Sequence, residues 1–142
     1  MARQVLDLRA RPTMVDIWMA TARHLAQRSQ CQRLGVGCVV TDKSMRRVLG
    51  NGYNGLAAGS VMKCEGTDPC CLHAEVNALI ASGSMEKDKV MFVTVTPCKK
   101  CSMMIVNSGF SRVVYEHGHE KSSEGAVVLV EAGILLEKYN GS

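Results

Sequence analysis

Two short segments hold residue types that do chemistry together: His73-Ala74-Glu75 and Pro97-Cys98-Lys99-Lys100-Cys101. Cys98 and Cys101 are three residues apart, so on a helix they share a face. A helix opening at that point favours negative charge at its N-terminus and lowers the pKa of both thiols. Lys99 and Lys100 add positive potential beside them. A dithiolate on one helical turn is half of a zinc site. A Cys-x-x-Cys that follows a strand and opens a helix equally suits a redox dithiol. His73 decides for metal. A lone histidine beside a helix is more often structural, but with Glu75 two residues on and a dithiolate available it supplies a third ligand. Structural zinc sites usually close with four protein ligands, whereas three leave a position for water. Zinc lowers the pKa of such a water to ~7. Glu75 can then carry protons between water, a ring nitrogen and a departing amine. The rival role for Glu75, a first-turn carboxylate on a helix dipole, does not explain its place two residues after a zinc-type histidine.

Elements must bring the two segments together. Thr13 with Asp16 reads as a capping box, Asp replacing the usual Glu or Gln. Met14, Ile17, Trp18, Thr21 and Leu25 follow at helical spacing, which predicts a helix to about Ser29. Val36 to Thr41 reads as a buried strand, Asp42-Lys43-Ser44 as a turn, and Val48 to Tyr53 as the return strand of a hairpin. Gly52, Gly55 and Gly59 mark a long loop reaching Leu72. His73 to Ser82 reads as a helix stopped by Gly83, and Val90 to Thr96 as a strand ended by Pro97. Cys98 to Ser108 reads as a helix with Gly109 as its C-cap, and Val113 to Tyr115 as a short strand. Ser123 to Ala132 and Ile134 to Lys138 read as a closing helix and strand. Strands separated by single helices imply parallel pairing with right-handed crossovers and helices on both faces, an α/β fold.

Composition limits the alternatives. The 142 residues suit one domain spanning 1–142, and with aromatics at 4% the core must rest on aliphatic side chains and nine methionines. No apolar run approaches the ~20 residues of a membrane span. Met1 to Arg11 alternates charged and apolar residues without a signal-peptide h-region, so a cytoplasmic location is expected. The net charge of +4 is mild and scattered, which suits a small anionic substrate and makes nucleic acid an unexpected partner. Seven cysteines without a secretion signal argue for metal ligation or thiol chemistry over a disulfide framework, with Cys38 a plain core residue.

His-x-Glu followed by Pro-Cys-x-x-Cys resembles the signature of the zinc nucleoside and nucleotide deaminases. Gly52-Tyr53-Asn54-Gly55, Asn77, and Cys31-Gln32-Arg33-Leu34-Gly35-Val36-Gly37 resemble the deoxycytidylate branch, as do Asn107 to Phe110 and Glu131 to Ile134. The likeness runs from about Thr13 to Lys138. It implies a three-layer α/β/α fold around a mixed five-stranded sheet, and hydrolytic deamination of deoxycytidylate. It implies one zinc per chain on His73, Cys98 and Cys101, with Glu75 as proton shuttle. Asn54, Ala74 and Tyr115 fall where the family contacts substrate. Relatives of this branch are often hexamers switched on by deoxycytidine triphosphate and off by thymidine triphosphate, a response the resemblance places at Gly52, Tyr53 and Gly55, with Mg²⁺ accompanying the triphosphate. Some relatives hold a structural zinc with cysteines equivalent to Cys31 and Cys64, completed by two histidines of an insertion this chain lacks. Cys70 or Cys71 is the substitute, and reduced loop thiols are the alternative. Arg23, Arg28 and Arg33 are the candidates for holding a phosphate. The rival readings are deamination of cytidine, guanine or tRNA adenosine, a non-catalytic zinc-stabilised module, and a redox dithiol protein. A tRNA enzyme needs a stronger basic surface, and the riboflavin-pathway deaminases space their cysteines more widely.

Overall fold

The structure is a computed structural model that describes residues 11–31, 33–60, 71–83, 85–118 and 123–141. Helix α1 (Met14–Ala26) opens on the expected capping box: Asp16 N–H donates to Thr13 Oγ1 at 3.1 Å and Thr13 N–H to Asp16 Oδ2 at 2.8 Å. It stops three residues before Ser29. Beyond Ala26 the N–H groups of Gln27, Arg28 and Ser29 each bond a carbonyl three residues back, tightening the chain into turns. Close packing sets that limit. A Cβ on Gly37 would lie 1.8 Å from the Ala22 carbonyl oxygen, so strand β1 (Gly37–Thr41) starts where its backbone touches α1.

β1 turns back through Asp42, whose carboxylate accepts the N–H groups of Arg46 and Arg47 at 3.0 and 3.1 Å, into β2 (Val48–Tyr53). Then follow α2 (Ala74–Ser82), β3 (Lys89–Val95), α3 (Lys99–Asn107), β4 (Phe110–His117), α4 (Ser123–Glu131) and β5 (Leu135–Lys138). The sheet order is β2-β1-β3-β4-β5. β1 is antiparallel to both β2 and β3, while β3, β4 and β5 run parallel, so the sheet is mixed as expected. β4 is longer than Val113 to Tyr115. Its full length pairs with β3 from Lys89–Phe110 to Val95–His117, and polar Ser111, Arg112 and Glu116 are carried into the strand by that ladder.

Alternation along the strands divides the core in two. Val39, Val90, Phe92 and Val114 face α1, where Met19 and Ala22 cover them. Cys38, Val40, Met91, Val93 and Val113 face the other way, under Ala74 and Ala78 of α2, Ile105 of α3 and Leu129 of α4. The molecule is thus three layers, with Cys38 in the core as expected. The turn that joins β3 to α3 is wedged against α4: a Cβ on Gly125 would lie 2.1 Å from the Pro97 carbonyl oxygen. Gly125→Ala should therefore destabilise the fold by about 1–3 kcal/mol, read as a lowered midpoint in thermal unfolding. An unchanged midpoint would mean that α4 does not seat on Pro97.

Candidate active site

The two helices that carry the suspect residues begin side by side. His73 is the N-cap of α2 and Cys98 the N-cap of α3, both in extended backbone, and neither side chain makes a capping hydrogen bond. An N-cap side chain ordinarily accepts from its own helix. Here both side chains turn to each other. His73 Nδ1 lies 3.3 Å from Cys101 Sγ and 3.6 Å from Cys98 Sγ, and the three ligand atoms lie within 4.8 Å of one another. A tetrahedral zinc bonded at ~2.3 Å to sulfur and ~2.0 Å to nitrogen spaces N and S ligand atoms about 3.5 Å apart. The trio fits such an ion, and among the described residues it is the cluster of three that could hold a metal.

The electrostatics separate the two thiols that were expected to fall together: Cys98 is lowered, but Cys101 is raised. The Cys101 thiol and His73 both hydrogen-bond Cys98, holding its pKa down at about 3, so that Cys98 is a thiolate. Cys101, the donor in that pair and buried, is pushed far above its ordinary value. The bond to Cys98 raises His73 against the opposing effect of burial. Glu75, on the first turn of α2, is 4% exposed, and burial raises its carboxyl to about 7. A carboxyl titrating near neutrality both takes and gives a proton at working pH.

These groups form the floor of a cavity of about 380 Å³ lined by His73, Ala74, Glu75, Cys98, Asn54 and Thr96, with Cys31, Arg33 and Leu34 also on its wall. Asn54 reaches it, but its amide also fastens the fold: Oδ1 accepts Val36 N–H at 2.8 Å and Nδ2 donates to the Leu34 carbonyl at 2.7 Å. One Nδ2 hydrogen is left for a ligand. Tyr115 lies elsewhere. It pairs with Val93 across β3–β4 and packs against the buried core instead of the cavity wall. Gly52 has a packing reason, since a Cβ there would sit 2.7 Å from the Ala74 carbonyl oxygen. Gly55 pairs with Leu72, and the Tyr53 carbonyl accepts from Asn77 Nδ2 at 2.9 Å, so the loop is tied to α2 and to the residue before His73.

The three arginines separate cleanly. Arg23 is forked onto Glu116 and stacked on Tyr139, and Arg28 stacks over Tyr53 at 5.9 Å. Arg33 faces the cavity. Sequence reasoning passed over Thr96 and Leu34; the signal for Thr96 was its place directly before Pro97-Cys98. Of the second expected metal site, Cys64 and Cys70 lie outside the described residues, while Cys31 and Cys71 are reduced thiols and Cys31 lines the cavity.

Comparisons with known proteins agree with this geometry. Residues 13–117 match the profile of the cytidine and deoxycytidylate deaminase zinc-binding region. The deoxycytidylate deaminase of Saccharomyces cerevisiae is 32% identical over 145 residues, covering 92% of this chain and 46% of that protein. The chain thus spans about half the length of this fungal relative. The deoxycytidylate deaminase of Mycobacterium phage D29 is 35% identical over 75% of this chain and 96% of its own. The crystal structure of the cyanophage S-TIM5 dCMP deaminase in complex with dCMP and dUMP superposes with a TM-score of 0.81 at 33% identity, covering 91% of this chain and 98% of that one. By profile, by sequence and by the arrangement of its ligand trio, the chain belongs to the cytidine and deoxycytidylate deaminase family, whose zinc-binding region it carries.

Proposed function

We propose that the chain hydrolyses the exocyclic amine of deoxycytidylate, giving deoxyuridylate and ammonia. The observation that carries this reading is the buried Glu75 beside a three-ligand set on the floor of a nucleotide-sized cavity. Zinc on His73, Cys98 and Cys101 supplies Lewis acidity and a lowered pKa for water. The remaining work belongs to the chain. Glu75 removes a proton from the attacking water and delivers it to the ring nitrogen beside the reacting carbon. It then passes the second proton to the amine, which leaves as ammonia while the ring gains a carbonyl oxygen. The surrounding apolar core raises Glu75 into the range where both transfers run at neutral pH. Arg33 on the cavity wall meets the 5′-phosphate, because Arg23 and Arg28 are engaged elsewhere.

The mononucleotide is favoured over RNA. Arg23, Arg47 and Arg112 are paired with carboxylates, and a scattered net charge of +4 is weak for holding RNA. None of the described helices is long and apolar enough to cross a membrane, consistent with the cytoplasmic nucleotide metabolism proposed here.

The same reading includes a homo-oligomer, a hexamer by family likeness. Its support is an apolar groove of about 830 Å³ between α2 and α3, where Ile80 is 69% and Met103 52% exposed. A second copy covering this face would bury both. Activation by deoxycytidine triphosphate with Mg²⁺, and inhibition by thymidine triphosphate, belongs to the Gly52–Gly55 loop, whose ties to α2 and Leu72 join it to the ligand helix.

Glu75→Gln should keep one zinc by metal analysis and lower turnover of deoxycytidylate by about 10²–10⁴-fold; full activity would leave only a non-catalytic zinc module. Arg33→Ala should raise KM for deoxycytidylate by about 10–100-fold, the loss of one charge-assisted hydrogen bond, with little change for deoxycytidine. An equal effect on both substrates would remove Arg33 from the phosphate. Ile80→Asp should convert an oligomer to monomers in sedimentation and abolish the triphosphate response. A native chain that sediments as a monomer and obeys hyperbolic kinetics with either triphosphate would end that part of the proposal.

A further inference from the structure

In a bound nucleotide the sugar lies between base and phosphate, and the cavity wall at that level differs from the wall at either end. At the deep end stand the buried Glu75 and Thr96, beside the ligand trio. At the open end stands the exposed Arg33. The stretch between carries Leu34, which is 45% exposed, and the half-buried Val36, with the buried Asn54 beside them. Gly35 is pressed on the end of α1 instead, since a Cβ there would lie 2.5 Å from the Ala26 carbonyl oxygen. Leu34 and Val36, on either side of it, both line the cavity.

The polar groups of this stretch are already engaged. The Leu34 carbonyl accepts Asn54 Nδ2 at 2.7 Å, and Val36 N–H donates to Asn54 Oδ1 at 2.8 Å. The Val36 carbonyl accepts Asn54 N–H at 3.2 Å, and Gly37 N–H donates to Thr94 Oγ1 at 3.1 Å. The Thr96 hydroxyl donates to the His117 carbonyl at 3.3 Å and stands at the level of the base. What this stretch turns to the sugar is two aliphatic side chains and the second hydrogen of Asn54 Nδ2. The ring of a 2′-deoxyribose carries one hydroxyl, and that hydrogen serves it. A ribose brings a second. We propose that Leu34 and Val36 select the deoxyribose form of the nucleotide, by holding a 2′-hydroxyl against hydrocarbon that offers it no hydrogen bond.

This selection rests on the deaminase reading and names the part of the nucleotide that the site rejects. An apolar wall discriminates against a compound that only adds a hydroxyl by about 10–100-fold. Leu34 is the residue to vary, because Val36 also packs against the core under α2 and α3.

The test measures kcat/KM of the zinc-loaded chain for deoxycytidylate, cytidylate and 2′-fluoro-2′-deoxycytidylate. Fluorine has nearly the bulk of a hydroxyl but no proton to donate. The fluoro compound should fall within a few-fold of deoxycytidylate, and cytidylate should be poorer by about 10–100-fold. Leu34→Asn keeps the side chain's size and adds a donor and an acceptor. It should raise kcat/KM for cytidylate about 10-fold and lower the value for deoxycytidylate, whereas Leu34→Met should keep the native ratio. Equal use of deoxycytidylate and cytidylate by the native chain would overturn the proposal. So would rejection of the fluoro compound as strong as that of cytidylate, which would make bulk at C2′ the cause. Loss of both substrates alike in Leu34→Asn would remove Leu34 from the selection. A chain that deaminates deoxycytidylate without discrimination fails this proposal alone; a chain that deaminates none of the three fails the functional reading and this proposal with it.

Discussion

The structure depends on two helices starting at one point. α2 and α3 each begin with a residue that offers its side chain to a common centre and leaves its own helix uncapped. Leaving a cap unmade sacrifices about 1 kcal/mol per helix. Binding an ion to three protein ligands returns far more than that, since metal affinity enters directly as folding free energy. The two positive helix ends also make the centre hospitable to negative sulfur. The pair shares one negative charge before a metal arrives: Cys98 is held low, whereas the Cys101 thiol is pushed up and gives its proton away on metal binding.

The sheet supplies the precision. The α3 ligand turn follows the C-terminal end of β3, between strands that run parallel, where crossover chains leave a crevice. Gly125 lets α4 press on that turn from one side, and the Thr96 N–H donating to the His117 carbonyl at 2.9 Å ties it to β4 from the other. Opposite, Gly52 lets β2 approach the first turn of α2. Both ligand helices are thus braced against strands at the turn that matters. Glu75 is buried by the same packing, and the Cys38 thiol of β1 is raised by burial first and by the nearby Glu75 second. The apolar layer that holds the helices therefore also tunes the proton carrier.

Much of this was legible from residue types and short spacings. The capping box at Thr13, the stop at Gly83, the hairpin around Asp42 and the ligand trio are set by interactions within a few residues or by donor chemistry and appear where expected, while α3 is capped by Ser108, with the left-handed Gly109 one residue beyond. What was not legible depends on partners distant in sequence. The last turn of α1 is packed against Gly35 and Gly37, and the length of β4 is fixed by its ladder with β3. Tyr115 was expected at the substrate because the family resemblance places a contact there. Its register against Val93 sends the side chain into the core, and register is a property of the assembled sheet. Asn54 follows the same logic, since its amide joins Leu34 and Val36, two residues that sequence spacing cannot bring near it. The three arginines could not be told apart for that reason too: Arg23 finds Glu116 and Arg28 lies over Tyr53, while Arg33 lines the cavity.

One consequence follows from where α2 and α3 face. Their first turns hold the ligands and Glu75, and their later turns carry Ile80 and Met103 on the solvent side. The helices have only nine residues each, so about 13 Å separates the two ends. Each first turn is held by its own brace, α2 by the close approach of Gly52 and α3 by Gly125 and the Thr96–His117 bond, so the ligand spacing of the metal centre is set at one end of the helices and the groove's exposed apolar residues lie toward the other. The loop from Gly52 to Gly55 reaches the same centre from the opposite direction, through Asn77 on α2 and through Leu72 beside His73. The loop and the ligand helix thus meet at one element, the N-terminal turn of α2.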